Sequence, residues 1–142
     1  MKERSILDVK IQHNAPKVKE FIDLRCIVGW EKQDTKTASK ALANTLFHVV
    51  ARLDSKLIGM GRVIGDGAMF YYIQDVIVDP KYQSMGVGNL LMEKIEVYLS
   101  ENANAGATVG LFSANGKETF YKKYGYLERD GSQLGFGMCK FL

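Results

Sequence analysis

The chain has 142 residues, 46% of them hydrophobic and 25% charged, the size and balance of one globular domain and not of a disordered or fibrous chain. A net charge of +3, from 19 basic and 16 acidic side chains, is too small and too dispersed for a nucleic-acid surface. Cys26, Cys139, His13 and His48 stand at no metal-ligand spacing, and no apolar run suits a membrane span or signal core, so the expectation is a cytoplasmic protein with no metal and reduced thiols.

Along the chain, Ser5 to Gln12 alternates Ile6, Val9 and Ile11 with polar residues imperfectly, a modest strand signal. Pro16 suits the first turn of a helix, and Val18, Phe21, Ile22, Arg25 and Val28 follow at helical spacing until Gly29. Thr37 to Asn44 reads as a second short helix. Thr45 to Leu53 and Leu57 to Asp66 flank Asp54-Ser55-Lys56 as a hairpin. Tyr71 to Val78 is an aromatic and β-branched strand stopped by Asp79-Pro80. From Val87 the period turns helical, with Val87, Leu90, Leu91, Ile95, Tyr98 and Leu99 on one stripe. Ala107 to Phe112 is a short buried strand and Lys117 to Tyr124 a helix ended by Gly125. Leu134 to Leu142 closes the chain as a strand, weakened by Gly135 and Gly137. This order predicts one mixed α/β domain over residues 1–142, with a hairpin-rich first half.

The stretch from Asp75 to Leu91 carries the most chemistry: a strand, a tight turn, and a glycine-spaced loop that opens an amphipathic helix. Glycines at 86 and 88 remove the Cβ atoms that would hold a ligand off the backbone. The N–H groups and dipole at the helix start then favour a diphosphate. No Gly-Lys-Ser/Thr follows, so this is not a Walker loop. Gly86-Val87-Gly88-Asn89-Leu90-Leu91 lacks the third glycine of the dinucleotide fingerprint and does not follow the first strand of a βαβ unit. Coenzyme A remains. Glycine pairs by themselves are weak, and a turn that merely starts a helix would look the same.

Two motifs resolve the choice. Gln83-Ser84-Met85-Gly86-Val87-Gly88 resembles the Q/R-x-x-G-x-G/A motif of the GNAT superfamily (Gcn5-related N-acetyltransferases). Asn115 to Tyr126 is similar to that family's N-x-x-x-x-F-Y-x-x-x-G-F/Y segment. The resemblance covers Phe70 to Tyr126 and implies a mostly antiparallel sheet of about six to seven strands with about four helices. It further implies an acetyl-coenzyme A-dependent N-acetyltransferase acting directly on a primary amine, since no cysteine lies in either motif to carry the acetyl group. By similarity, the backbone of Val76, Ile77 and Val78 holds the pantetheine arm, with Ile77 N–H polarising the thioester carbonyl. Gln83 belongs to the same motif, and Ser84, Met85, Gly86, Val87, Gly88 and Asn89 wrap the pyrophosphate. Asn115 touches the pantetheine, and Tyr121 sits near the sulfur.

The chemistry fits those roles. A phenol with an ordinary pKa of about 10 is protonated at neutral pH and can donate to a leaving thiolate whose conjugate acid lies near about 8.5. Packing is the alternative for Tyr121, because Phe120, Tyr121 and Tyr124 share helical spacing. Asp75 and Gln74 lie where the family places a base or a water-holding residue, although an aspartate there can equally bond neighbouring backbone. A lone strand histidine such as His48 reads as structural. Arg25 and Trp30, at the end of the first helix, are expected to line the acceptor cleft, a small amine being the first reading. A protein lysine or N-terminus as acceptor, or a non-catalytic coenzyme A-binding module, are the rivals. A C-terminal strand with an exposed edge makes a homodimer an expectation.

Overall fold

The computed structural model describes residues 5–142 and divides into two compact units, one ending at Leu111 and the other spanning Phe112–Leu142. At the start of the first unit a reciprocal cap overrides a weak strand pattern. Ser5 Oγ accepts the Leu7 N–H at 3.1 Å and the Asp8 carboxylate accepts the Ser5 N–H at 3.2 Å, which winds Ile6–Asp8 into a 3-10 turn. Of the strand expected over Ser5 to Gln12, only β1 (Lys10–Gln12) forms.

The helices α1 (Val18–Ile27) and α2 (Thr35–Ala43) follow. Asp34 starts the second by accepting the Thr37 N–H at 2.8 Å. Strands β2 (Phe47–Leu53), β3 (Lys56–Gly65) and β4 (Phe70–Val78) then run antiparallel. The long helix α3 (Val87–Asn102) supplies the crossover that a parallel neighbour requires, and β5 (Thr108–Leu111) returns alongside β4. Among the described residues the result is one five-stranded sheet in the order β1-β2-β3-β4-β5.

Helices cover both faces of this sheet. Val50, Met60 and Ile77 are cross-strand partners in a single row. They pack with Phe21, Ile22 and Leu24 of α1 and with Ala38 and Leu42 of α2. On the other face α3 buries Val87, Leu91, Met92, Ile95 and Leu99, each worth about 1.5–3 kcal/mol if fully withdrawn from water. The sequence stripe had Leu90 and Tyr98 in place of Met92; both are half-buried. α3 lies so near β3 that a Cβ on Gly59 would stand 3.1 Å from Val87 Cγ1, and one on Gly61 3.0 Å from Ile95 Cδ1. Glycines alternating with Met60 therefore give one strand a bulky face and a bare one.

A polar strut joins α1 to β2. Arg52 Nη1 and Nη2 donate to Glu20 Oε2 and Oε1 at 2.7 Å and 2.9 Å, a bidentate pair. The Arg52 hydrogen bonds hold the Glu20 carboxyl below the ordinary glutamate value, against the opposing effect of burial.

In the second unit α4 (Glu118–Lys122) forms, shorter than the helix expected over Lys117 to Tyr124. Phe120 meets Tyr121 and Tyr124 edge-on, with ring centroids 5.1 Å and 5.7 Å apart. The closing strand expected over Leu134 to Leu142 is absent, and these residues are exposed and irregular. Gly135 and Gly137 offer no side chains to pack and favour neither a strand nor its ladder. The sheet accordingly has five strands in place of six to seven, and the strand edge behind the homodimer expectation is not formed. No helix among the described residues is long and apolar enough to cross a membrane.

Two stability outcomes follow from this packing. Gly59→Val places methyl groups against Val87 and the Ile77 carbonyl, and should lower the unfolding free energy in urea by about 1–3 kcal/mol; an unchanged midpoint would mean that α3 yields freely. Glu20→Gln should cost about 1 kcal/mol near neutral pH. Because the folded carboxyl titrates below the unfolded one, that stabilisation is complete above the unfolded value of about 4.3 and fades as pH falls through the lower folded value. The gap between wild type and variant should therefore close on acidification. A gap that persists in strong acid would remove the ion pair as its source.

Candidate active site

Strand β4 changes character halfway along. From Phe70 to Ile73 it pairs with β5, the last partners being Ile73 and Leu111. On its other side Arg62 pairs with Gln74 but Met60 pairs with Ile77, so Asp75 and Val76 together face Gly61. This bulge holds Asp75 at φ 57°, a left-handed backbone that costs a residue with a Cβ about 1 kcal/mol and is best tolerated by Asp and Asn. Beyond the bulge, no strand among the described residues pairs with the second edge of Val76 to Val78.

That open edge has a definite polarity. The Asp79 N–H donates to Ile58 O on β3 at 2.8 Å, and Ile77 O lies 3.2 Å from the position of a Gly59 Cβ. Backbone groups alternate sides along a strand, so Ile77 turns toward β3 with Asp79, while Val76 and Val78 turn their N–H groups to the open edge. The resemblance implied Ile77 as the donor to a thioester carbonyl; the register presents Val76 and Val78 there instead. Gln83 Nε2 donates to Val78 O at 3.1 Å and ties the following loop to the strand.

The loop is shaped by Asp79, Ser84 and Gly86. Buried Asp79 accepts the Lys81 N–H at 3.0 Å and caps a 3-10 turn over Pro80–Tyr82. Ser84 has φ 70° and Gly86 has φ 92°, left-handed positions of the kind that make anion-binding concavities. Gly86 is the N-cap of α3 without any side-chain cap, and a Cβ there would meet nothing within 4 Å. Leu90 N–H is bonded back to Gly86 O at 3.2 Å, so the backbone ladder of α3 begins there and Val87, Gly88 and Asn89 form its first turn. The sequence-expected phosphate residues are thus contiguous, at the positive end of a 16-residue helix.

Behind the bulge lies a charged cluster. The Asp75 side chain has 0% exposure and receives Arg25 Nη1 on Oδ1, Arg62 Nε on Oδ2 at 2.7 Å, and Gln74 Nε2 on Oδ1 at 3.0 Å. Arg62 Nη1 continues to Thr45 Oγ1 at 2.9 Å and Ala41 O at 3.3 Å. The Arg25 guanidinium stacks 4.7 Å from the Trp30 ring centroid and 5.6 Å from that of Phe21, and its buried Nε has no partner among the described residues. Arg25, Trp30, Gln74 and Asp75, named from sequence for the acceptor side, therefore do gather in one place. Asp75, expected from sequence as a base or water-orienting residue, accepts from an arginine on each of its oxygens. Arg62 was missed, although it is the lone charge in the apolar run Leu57 to Ile64, which is the signal that could have found it.

Asn115 and Tyr121 belong to the second unit. Asn115 is exposed and Tyr121 is half-buried on α4. His48 sits in β2 with Nε2 3.1 Å from Leu42 O, and burial pushes its pKa down, the setting of a structural imidazole.

Comparison with known proteins places this geometry. The family model for the acetyltransferase (GNAT) domain matches residues 26–141. An uncharacterized N-acetyltransferase, ycf52-like, from Prochlorococcus marinus is 35% identical over 114 residues, 77% of this chain and 62% of its own length. A histone acetyltransferase, TAP1, from Glycine max is 33% identical over 70% of this chain and 47% of its own length. The chain thus spans about half to six tenths of these curated relatives. A crystal structure of a probable acetyltransferase of unknown function from Staphylococcus aureus is 32% identical, covers 94% of this chain and 99% of its own, and has a TM-score of 0.84. The chain belongs to the GNAT acetyltransferase family.

Proposed function

We propose that the chain is one transferase domain that moves an acetyl group from acetyl-coenzyme A directly to the primary amine of a small molecule. The observation that carries the reading is the open edge of β4 running straight into the uncapped start of α3. An extended pantetheine arm has amides to pair with Val76 and Val78 as a strand would, and its diphosphate then reaches Ser84 to Asn89. The match of the family model across residues 26–141, through both units, supports reading them together.

In this reaction a neutral amine attacks the thioester carbonyl carbon as an edge N–H stabilises the oxyanion. The C–N bond forms, the C–S bond breaks, the thiolate takes the Tyr121 hydroxyl proton, the nitrogen releases its proton to solvent, and solvent returns one to the tyrosinate. The role of Tyr121, like that of Asn115 beside the pantetheine, rests on the motif from Asn115 to Tyr126. Trp30 and the aromatic and cationic end of α1 supply the acceptor side. A protein lysine as acceptor is favoured by one observation, the name of the soybean relative. A panel of small amines against lysine peptides separates the two.

Gly86→Val puts a branched side chain on a left-handed residue where backbone meets diphosphate. Acetyl-coenzyme A affinity by calorimetry should fall at least about tenfold, about 1.4 kcal/mol, in a protein that stays folded by circular dichroism; undiminished binding would sink the loop assignment. Tyr121→Phe keeps the ring and its edge contact with Phe120 while removing the hydroxyl. Its kcat should drop by about 100-fold with little change in KM for acetyl-coenzyme A. Wild-type turnover where chemistry is rate-limiting would make Tyr121 a packing residue.

A further inference from the structure

We propose that Arg62 and Arg25 are positioning residues for the acyl donor: by clamping Asp75 they hold the bulge that turns the Val76 and Val78 N–H groups to the open edge. The inference rests on the reading of that edge as the pantetheine site.

The register shows why a clamp matters. Asp75 and Val76 share Gly61 as their opposite, with Asp75 at φ 57°. Were Asp75 extended, the extra residue would be lost: Asp75 would face Gly61, Val76 would face Met60, and Ile77 would face Gly59 where Val78 now stands. A one-residue slip reverses which groups point outward, so Val76 and Val78 would turn inward and Ile77 outward. The backbone conformation of one residue thus selects the amides offered to a ligand.

Three features hold that residue in place. Asp75 is buried, with 0% side-chain exposure, so its charge requires partners. Arg62 grips Oδ2 from β3, the strand across the bulge, at 2.7 Å, and Arg25 grips Oδ1 from α1. Arg62 is itself fixed by Thr45 Oγ1, and Arg25 by its stack on Trp30. A group with both oxygens so engaged is suited to holding geometry and not to shuttling a proton. The arginines act through Asp75 and need not touch the donor.

The experiment compares two probes by calorimetry: coenzyme A, and 3′-phosphoadenosine 5′-diphosphate, which keeps the nucleotide and diphosphate but lacks the pantetheine arm. Arg62→Met should weaken coenzyme A about tenfold and leave the shorter probe within about twofold, because only the arm uses the β4 edge. Arg62→Lys keeps the charge without the Nε–H donor and should show the same split at smaller size. Equal coenzyme A affinity in wild type and folded Arg62→Met overturns the inference. Parallel loss of both probes overturns it too, since that marks general destabilisation. If Arg62→Met does not fold, Arg62→Lys decides by the same two criteria. Failure of the wild-type protein to bind coenzyme A at all would instead strike the reading of the edge itself.

Discussion

A carboxylate withdrawn from water needs cationic partners in fixed places, and Asp75 finds them in two different layers of the fold. Arg25 reaches it from the last turn of α1 and Arg62 from β3, while Arg62 also bonds Thr45 and the carbonyl end of α2. Three elements, α1, α2 and β3, are thereby referred to one residue of β4. Two guanidiniums on one carboxylate leave an excess positive charge, spread over the faces of Phe21 and Trp30. Removal of Asp75 would leave two neighbouring guanidiniums without their carboxylate, which is more costly than the pairing is stabilising.

From that fixed point the shape of the site follows. The bulge lies just past Ile73, the last residue of β4 that pairs with β5, so the strand leaves its neighbour as its own twist changes. Pairing with β3 resumes beyond it, which keeps Val76 to Val78 extended and rigid while their outer edge is open. Gly59 and Gly61 let α3 settle closely onto β3, bringing the helix start near the end of the same strand. An edge of strand amides and a helix N-terminus are both made of backbone, so in the proposed donor site side chains such as Asp75 and Arg62 act by holding that backbone in place.

The proposed acceptor side is built differently, from Arg25, Trp30 and Gln74, side chains attached to α1, the loop after it, and the strand ahead of the bulge. The relatives bear names as unlike as an uncharacterized N-acetyltransferase and a histone acetyltransferase. Fold and acceptor are separate properties, and the acceptor depends on the side chains a chain places beside its backbone platform.

How much was legible in the sequence depends on the range of the interaction. The hairpin around Asp54-Ser55-Lys56, the stripe on α3 and the glycine loop at Gly86 are local patterns, in which neighbours within about one or two turns decide the outcome. Those patterns, with the two motifs, determined the family and the place of the glycine loop at the start of α3. The strands at the two ends were misjudged for equally local reasons: a cap at Ser5 outweighed a faint alternation, and two glycines emptied the strand expected after Leu134. What only the tertiary structure decided was the bulge. Alternation along Asp75 to Val78 gives no sign of an extra residue, and a regular strand would aim Ile77 where Val76 and Val78 now point. The partners that hold Asp75 lie 50 and 13 residues away. A buried charge chooses its backbone conformation from such distant contacts, and they exist only once the sheet and α1 have come together.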